Sequence, residues 1–486
     1  MLENTWVSDA QRNQKARWKA IQTLLASYRQ GVPLQPYRRV QACPLSLGQE
    51  RLWLLHELGA DTRVYHLPFA FWLAGDLNIV ALEASLQEIV RRHDILRTTF
   101  SGGQGQPMQV VAPELAFRLP VVDLQALPPA EQEEQYQQIV HQEIERPFDL
   151  GQLSLWRLRL IRLGVQKYVL LLTAHHIIYD SWSHNVFTTE LSTLYGDVLA
   201  GRRSSLSKLP IQYGDFAQWQ RQWLTGEVLR SQQSYWQQQL SGDLLRLRLP
   251  YDRQTNTDEV NHQGKRQPVS LSPALTTSLQ ALSDRQGVTL FVVLLAAFNL
   301  LLYQYTGQKD LMVCSTQAGR NLSQLQGLIG FFNNIVPLRT NLGGNPSFLD
   351  LINQVHQTTL GAYQHQDMPL QLLAEGQNLA RKGLYQVMLI LQNMPEGSLN
   401  LPGLTVEAKS LSNGTANFDL FLSLNTPSSP NSPLVGYLEY QTRLFSDGAI
   451  ARLLEDFQTL LTCLVENPDQ TLADLPLAIG SLLHKG

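Results

Sequence analysis

The chain has 486 residues, a length that exceeds what one hydrophobic core usually serves and therefore predicts two lobes. Its composition, 44% hydrophobic and 16% charged, is that of an ordinary globular protein. The 38 Lys and Arg residues against 41 Asp and Glu residues give a formal net charge of −3. This balance argues against a nucleic-acid-binding protein, since such proteins normally carry a basic excess.

Cysteine usage and hydropathy bear on the cellular compartment. Cys43, Cys314 and Cys463 are far apart and odd in number, so neither a disulfide framework nor a zinc site is expected and a reducing cytoplasm is favoured. The N-terminus has neither the basic nor the apolar region of a secretory signal. The longest apolar stretch, 290–303, is shorter than the ~18 residues of a membrane span, so it predicts a buried helix and no membrane contact.

Residues 1–40 form a first segment that differs in composition from the rest. Apolar residues from Trp18 to Tyr28 fall at helical spacing, and Gly31 and Pro33 then end the pattern. This helical segment either packs on the main body or serves as a docking element for another protein, and both interpretations stay open at this level.

From Cys43 onward, strand-like and helix-like segments alternate through both halves of the chain, which predicts an α/β protein. The run at 168–173 is apolar throughout and predicts a strand buried on both faces. Ser183 is the expected N-cap of a helix that Gly201 closes. The predicted strands are 69–73, 168–173, 311–315 and 387–391, and the predicted helices are 78–92, 183–201, 289–303 and 447–464.

Two adjacent histidines, His175 and His176, stand at the end of a predicted buried strand, and Asp180 follows in the turn before a helix. Since successive side chains of a strand point to opposite faces, the two histidines cannot both line one cavity. We expect one in the packing and the other in contact with substrate, where a pKa of about 6.5 suits a general base or a hydrogen-bonding group. The alternative, that both are core residues and that Asp180 only caps the turn, stays open.

Other kinds of site find less support in the sequence. The opposed directions of the two histidines spoil joint metal ligation, and no His-Glu-x-x-His pattern or spaced cysteine set supplies further ligands, so no metal site is predicted. The sequence also contains neither a Gly-x-Ser-x-Gly elbow nor a phosphate-binding glycine loop.

Six sequence blocks occur in one order from about Cys43 to the C-terminus, and a degraded seventh follows at 381–388. They are SLGQERLW at 46–53, RHDILRTTF at 92–100, HHIIYDS at 175–181, YGDFAQW at 213–219, IGFFNNIVPLR at 329–339 and HQDMP at 365–369. In these blocks the chain resembles the condensation domains of nonribosomal peptide synthetases. It differs from the family pattern by Gly48 where alanine is usual, Asp94 for glutamate, and Ser181 for the glycine of His-His-x-x-x-Asp-Gly.

The resemblance implies an α/β fold of two chloramphenicol acetyltransferase-like lobes, which form a V-shaped pseudodimer with a tunnel between them. We place the N-terminal helical segment at residues 1–40, the first lobe with the histidine motif at 41–222, and the second lobe at 223–486.

The resemblance also implies a reaction, the formation of an amide bond. The donor is an acyl or peptidyl thioester and the acceptor is an aminoacyl group, both held on phosphopantetheine arms of carrier proteins. The implied partners are an upstream donor carrier and a downstream acceptor carrier, with the adenylation domain of the same synthetase as a further candidate. The domain itself is expected to bind no cofactor. The sequence has no adenylation, carrier or thioesterase signature, so we expect either an excised domain or a stand-alone protein.

Residue by residue, the resemblance implies that His176 is catalytic and His175 structural. Asp180 is expected to form an orienting ion pair with Arg320 rather than to act as a base. Three further residues are expected to line the tunnel or to position substrate; they are Trp182, Ser183 and Asn334.

Ser181 leaves three interpretations open. If the family glycine serves a positive φ, serine costs on the order of 1 kcal/mol or more of strain. If glycine leaves room for substrate, serine narrows the channel. If serine disables the site, the chain recruits carrier or tailoring proteins without catalysis. An ester-forming acyltransferase on the same fold is a further alternative, whereas Trp182 directly after the motif argues against an epimerization domain.

Overall fold

A computed structural model describes residues 32–37, 42–59, 61–103, 106–253, 262–369, 372, 385–392, 399–427, 429 and 431–474. The helix predicted between Trp18 and Tyr28 and the degraded block at 381–384 lie outside the described residues. The described end of the N-terminal segment packs on the main body, because Leu34 is buried there and the Val32 carbonyl accepts a 2.7 Å hydrogen bond from the Trp219 indole.

The described residues alternate between strands and helices along the whole chain, which confirms the α/β prediction. The strands are β1 (Ala42–Pro44), β2 (His66–Gly75), β3 (Thr98–Gly103), β4 (Gln106–Val111), β5 (Val121–Asp123), β6 (Trp156–Gly164), β7 (Lys167–His175), β8 (Gly264–Leu271), β9 (Asp310–Gln317), β10 (Asn334–Asn341), β11 (Val387–Gln392), β12 (Leu404–Ser410), β13 (Leu420–Asn425) and β14 (Leu434–Gln441). The α-helices are α1 (Leu47–Glu57), α2 (Ile79–Arg92), α3 (Pro129–Glu145), α4 (Ser181–Leu199), α5 (Tyr213–Trp223), α6 (Gly226–Gln239), α7 (Pro273–Gln286), α8 (Leu290–Thr306), α9 (Ser323–Gln326), α10 (Phe348–Gln364) and α11 (Asp447–Glu466).

The first lobe is built around a sheet of strand order β12-β2-β7-β6-β5, beside a small sheet of order β1-β4-β3. Strand β7 is covered on both faces, as its apolar sequence predicts. Leu170 and Leu172 face the main core of this lobe, whereas Val169 and Leu171 face a second cluster that includes Tyr136 of α3. Because both faces are packed, the end of β7 holds its last residues in fixed positions.

The second lobe is built around a sheet of order β10-β9-β11-β13-β14-β8. Helix α8 lies in its core, with every residue from Leu290 to Leu302 buried. The Thr289 side chain caps its first turn and Gly307, with φ of 67°, ends it. Across the described residues no single helix has both the length and the apolar character of a membrane span; α7 and α8 meet that criterion only as a pair bent by 107°.

One strand crosses from the second half of the chain into the first sheet. β12 pairs antiparallel with β2, from Leu404 opposite Gly75 to Ser410 opposite Phe69. Residues 325–332 likewise pack in the core of the first lobe. A single boundary between 222 and 223 therefore does not separate the two cores. The local sequence of β12 could not show this, because hydrophobic pattern indicates a strand but not the sheet that it joins.

Candidate active site

The corner between β7 and α4 carries the histidine motif. β7 ends at His175, a short 3₁₀ turn covers His176–Ile178, and α4 begins at Ser181. The N-cap is Asp180, whose carboxylate accepts the Ser183 N–H at 2.7 Å. The prediction of Ser183 as N-cap is therefore wrong, because the aspartate three residues earlier already receives that N–H and the helix starts sooner.

The two histidines occupy different environments. His175 is buried, and its Nδ1 accepts the Ile177 N–H at 3.1 Å beside the rings of His66 and Phe148. Burial is the main reason that the pKa of His175 lies well below its usual value. His176 leaves the strand and stays partly exposed. The first histidine is thus enclosed by packing, and the second is the one that a ligand can reach.

A hydrogen bond fixes the orientation of the His176 ring. Its Nδ1 lies 2.6 Å from the Tyr179 carbonyl oxygen. Since a carbonyl only accepts, Nδ1 carries the hydrogen and the neutral ring keeps its lone pair on Nε2. Burial lowers the pKa of His176, and the Tyr179 carbonyl and Asp180 oppose that shift. The ring is therefore held neutral near pH 7, with Nε2 free of the proton.

A buried ion pair joins the two halves of the chain behind the motif. Arg320 donates from Nη2 to Asp180 Oδ1 at 3.0 Å, and neither side chain has exposed surface. Nη1 of Arg320 donates to the Leu325 and Leu328 carbonyls at 2.7 and 2.6 Å. The second carboxylate oxygen accepts the Phe332 N–H at 3.1 Å. Asp180 therefore holds together the start of α4 and two segments of the second half.

Ser183 belongs to the same network. Its hydroxyl accepts from the Gly330 N–H at 2.9 Å and from Arg320 Nη2 at 3.0 Å, and its own hydrogen can go to Asp180 or to the Gly330 carbonyl. The side chain is completely buried. The expectation that Ser183 lines the tunnel or positions substrate does not agree with this position, because the side chain is buried and its hydroxyl bonds to Asp180, Arg320 and Gly330.

Trp182 and Asn334 also make contacts between segments. The Trp182 indole donates to the Gln326 carbonyl at 2.8 Å, across the boundary between α4 and α9. The Asn334 amide donates to the carbonyls of Gln366 and Met368 at 2.8 and 2.7 Å. Asn334 also borders a cleft between the two halves of the chain. Asn334 thus fixes the HQDMP turn.

Ser181 is the first residue of α4 and is exposed. Positive φ occurs among the described non-glycine residues only at Asn345 and Asn431. The strain interpretation of the missing glycine is therefore excluded, because a helical φ at this position suits any residue. The narrowed channel and the disabled site stay predictions.

A cleft opens between the two halves of the chain. It is lined by Ser46 and Gly48 at the start of α1, aromatic residues of α5, residues 331–334 and the turn after α10. The Phe331 ring borders this cleft and also contacts His176, with ring centroids 4.8 Å apart and planes at 68°. Sequence reasoning did not single out Phe331, although Gly48 opposite it is a departure from the family pattern.

The chain is similar in sequence to one family profile and to several curated proteins. A family profile described as a condensation domain matches residues 40–479. One of the linear gramicidin synthase proteins of Brevibacillus parabrevis is 39% identical over 468 residues, which cover 94% of this chain and 6% of the synthase. Malpinin synthetase of Mortierella alpina is 38% identical over 444 residues, covering 90% of this chain and 6% of the synthetase. The chain thus spans only a small part of the length of these relatives.

Solved structures with a similar fold cover most of this chain. The X-domain from teicoplanin biosynthesis is 28% identical with a TM-score of 0.82, covering 91% of this chain and 99% of that one. A chain in the structure of the complex of the X-domain and OxyB from teicoplanin biosynthesis is also 28% identical, with a TM-score of 0.82. The match covers 92% of this chain and 98% of the solved chain.

Proposed function

This chain belongs to the condensation-domain family of nonribosomal peptide synthetases, and from that premise we propose that it forms an amide bond between two carrier-bound groups. The donor is an acyl or peptidyl thioester and the acceptor an aminoacyl thioester, each on the phosphopantetheine arm of a carrier protein. The partners are therefore an upstream donor carrier and a downstream acceptor carrier.

The chemistry asks little of the protein beyond positioning and one proton transfer. The acceptor amine attacks the donor carbonyl carbon, the new C–N bond forms, and the C–S bond breaks as the thiol leaves. The attacking nitrogen loses one proton and the departing sulfur gains one. A thioester is already electrophilic, so holding the two reactants together accounts for much of the rate.

The observation that carries the proposal is the orientation of His176. Its Nδ1 donates to the Tyr179 carbonyl at 2.6 Å, which leaves Nε2 as the acceptor nitrogen of a side chain that stays partly exposed. A neutral imidazole in this tautomer can take the amine proton and return it to the thiolate, or orient the amine by a hydrogen bond. His175 cannot do this, because it is buried and its Nδ1 already accepts a backbone N–H.

His176→Gln tests the assignment. We expect single-turnover condensation between two loaded carriers to fall by at least ~100-fold, in keeping with the usual contribution of a general acid–base group. Intact-protein mass spectrometry of the carriers measures the product. His141→Gln is the matched control, since His141 is exposed on α3; a His176→Gln protein as fast as this control removes His176 from the mechanism.

A second candidate function is recruitment of a tailoring protein without catalysis. It is favoured by the similarity to the X-domain solved in complex with OxyB. The presence of His175, His176 and Asp180, with His176 held in one orientation and Asp180 paired with Arg320, favours catalysis instead. A wild-type protein that is silent with every donor and acceptor pair tested would favour the recruiting role.

A further inference from the structure

We propose that Phe331 is the positioning and specificity-determining residue beside His176, and that Gly48 gives its ring the room to lie there. The inference rests on the proposed condensation activity. It assigns to Phe331 the limit on the bulk of the thioester-borne group that enters by the cleft between the two halves.

The first step is the close approach between Gly48 and Phe331. A Cβ added at Gly48 would lie 3.0 Å from Cε1 and 3.3 Å from Cδ1 of the Phe331 ring. Contacts this short occur rarely, so alanine at this position would force the ring to move. Gly48 lies within the first turn of α1, where no positive φ calls for glycine. The absence of a side chain therefore serves the ring opposite.

The second step is that the backbone of Phe331 cannot move to relieve such a contact. The Tyr213 hydroxyl donates to the Phe331 carbonyl, and the Ser46 hydroxyl in turn contacts the Tyr213 oxygen at 2.9 Å. On the two sides, the Gly330 N–H is held by Ser183 and the Phe332 N–H by Asp180. Any adjustment must therefore come from rotation of the Phe331 ring.

The third step concerns the two neighbours of the Phe331 ring, the cleft and the His176 imidazole. Phe331 is 7% exposed and is one of the residues that line the cleft. The same ring meets the His176 imidazole at a centroid distance of 4.8 Å. Phe331 therefore contacts both the cleft and His176, and a ring pushed away from Gly48 would move into the cleft or against the imidazole.

Four proteins test the inference: Phe331→Ala, Phe331→Leu, Gly48→Ala and the double variant Gly48→Ala with Phe331→Leu. Gly196→Ala is the matched control, because it also adds one methyl inside a helix but meets Pro402 Cγ at an ordinary 3.6 Å. Condensation is measured with small and bulky aminoacyl acceptors on one donor, and with small and bulky acyl donors on one acceptor. The pKa of His176 is measured by NMR titration of the imidazole.

Phe331→Ala should raise the bulky-to-small rate ratio for one of the two substrates by about 10-fold or more, the usual effect of space gained in a pocket. Gly48→Ala should lower that ratio, and the double variant should recover it, because leucine is shorter than the ring. Phe331→Ala should also raise the pKa of His176 towards its usual value, since water replaces an apolar neighbour while Asp180 and Arg51 stay in place.

Unchanged rate ratios in Phe331→Ala, or a Gly48→Ala protein that behaves like Gly196→Ala, would overturn the assignment. The titration separates this failure from failure of the proposed function. If wild-type protein condenses no pair, a raised His176 pKa in Phe331→Ala still supports the role of Phe331 as the cover of His176, and an unchanged pKa overturns it. Circular dichroism and thermal melts establish that each variant is folded, and Phe331→Leu replaces Phe331→Ala if the latter is not.

Discussion

At the scale of single residues, Asp180 has several structural roles in the site. Its carboxylate caps α4, accepts from Arg320 and holds the Phe332 N–H, all without exposed surface. A buried charge whose partner is removed is strongly destabilising, even where the intact pair adds little net stability. The motif aspartate is therefore expected to act through the fold rather than in the chemistry.

Asp180→Ala should lower the free energy of unfolding by about 3–5 kcal/mol, because it leaves the Arg320 guanidinium buried without its counter-charge. Urea denaturation monitored by fluorescence measures the change. The control is Glu227→Ala, which breaks an exposed ion pair with Arg230 and should cost less than ~1 kcal/mol. An Asp180→Ala protein as stable as wild type but inactive would instead place the carboxylate in the chemistry.

The sequence allowed the partner of Asp180 to be named, since Arg320 follows a glycine in a position similar to the family's arginine. That glycine is needed here: Gly319 has a φ of 65°, and a Cβ on it would lie 2.2 Å from the Phe332 carbonyl oxygen. The contact between Phe331 and His176 could not be predicted in this way. It joins residues more than a hundred positions apart and depends on how two segments cross, which no local pattern records.

At the scale of elements, α4 packs on β2 through a histidine that stacks against aromatic side chains. The His184 ring stacks on Phe69 with centroids 3.9 Å apart and lies parallel to Phe71 at 5.6 Å. Its Nδ1 is buried without a hydrogen-bond partner. Burial lowers the pKa of His184 to about 4.

This pKa predicts an acid sensitivity that His184→Phe should reduce. Between a pKa of about 6.5 in the unfolded chain and about 4 in the folded protein, only the unfolded state binds the proton. Above pH 6.5 His184 therefore does not lower the free energy of unfolding. As pH falls from 6.5 towards 4, the free energy of unfolding decreases by roughly 3 kcal/mol in total because of this residue. Urea unfolding at pH 7, 6 and 5 should show a shallower decline for His184→Phe than for wild type or for His141→Gln; parallel declines would contradict the prediction.

Most elements of regular pattern were predictable, and the errors concern one helix start and contacts between distant segments. The helix predicted at 78–92 is found as α2 with Asn78 as its N-cap, and the strand predicted at 168–173 lies within β7. The chloramphenicol acetyltransferase-like fold is confirmed by the structural comparisons, whereas the V-shaped arrangement stays a prediction. The N-cap of α4 was misplaced because Ser183 and Asp180 both suit a cap, and only the hydrogen bond between them decides the choice.

At the scale of the whole molecule, the two lobes share structure rather than only touching. β12 leaves the second half of the chain to pair with β2 over Leu404 to Ser410, and the Asp180–Arg320 pair is buried between the halves. Residues of both halves also line the cleft. The relative position of the lobes, and with it the space beside His176, therefore depends on contacts that either lobe alone would lack.

This shared structure predicts that both sheets unfold together. Hydrogen exchange followed by mass spectrometry should show β7 and β9 losing protection at the same urea concentration, because the first sheet takes β12 from the second half and residues 325–332 of that half pack in the first core. Val406→Asp should separate the two, lowering the midpoint for β7, since Val406 packs against the first core and a carboxylate there lacks a partner. Thr405→Asp is the matched control, as Thr405 is the exposed neighbour on the same strand. Two distinct midpoints in the wild-type protein would show that the lobes are independent and that β12 is only a surface contact.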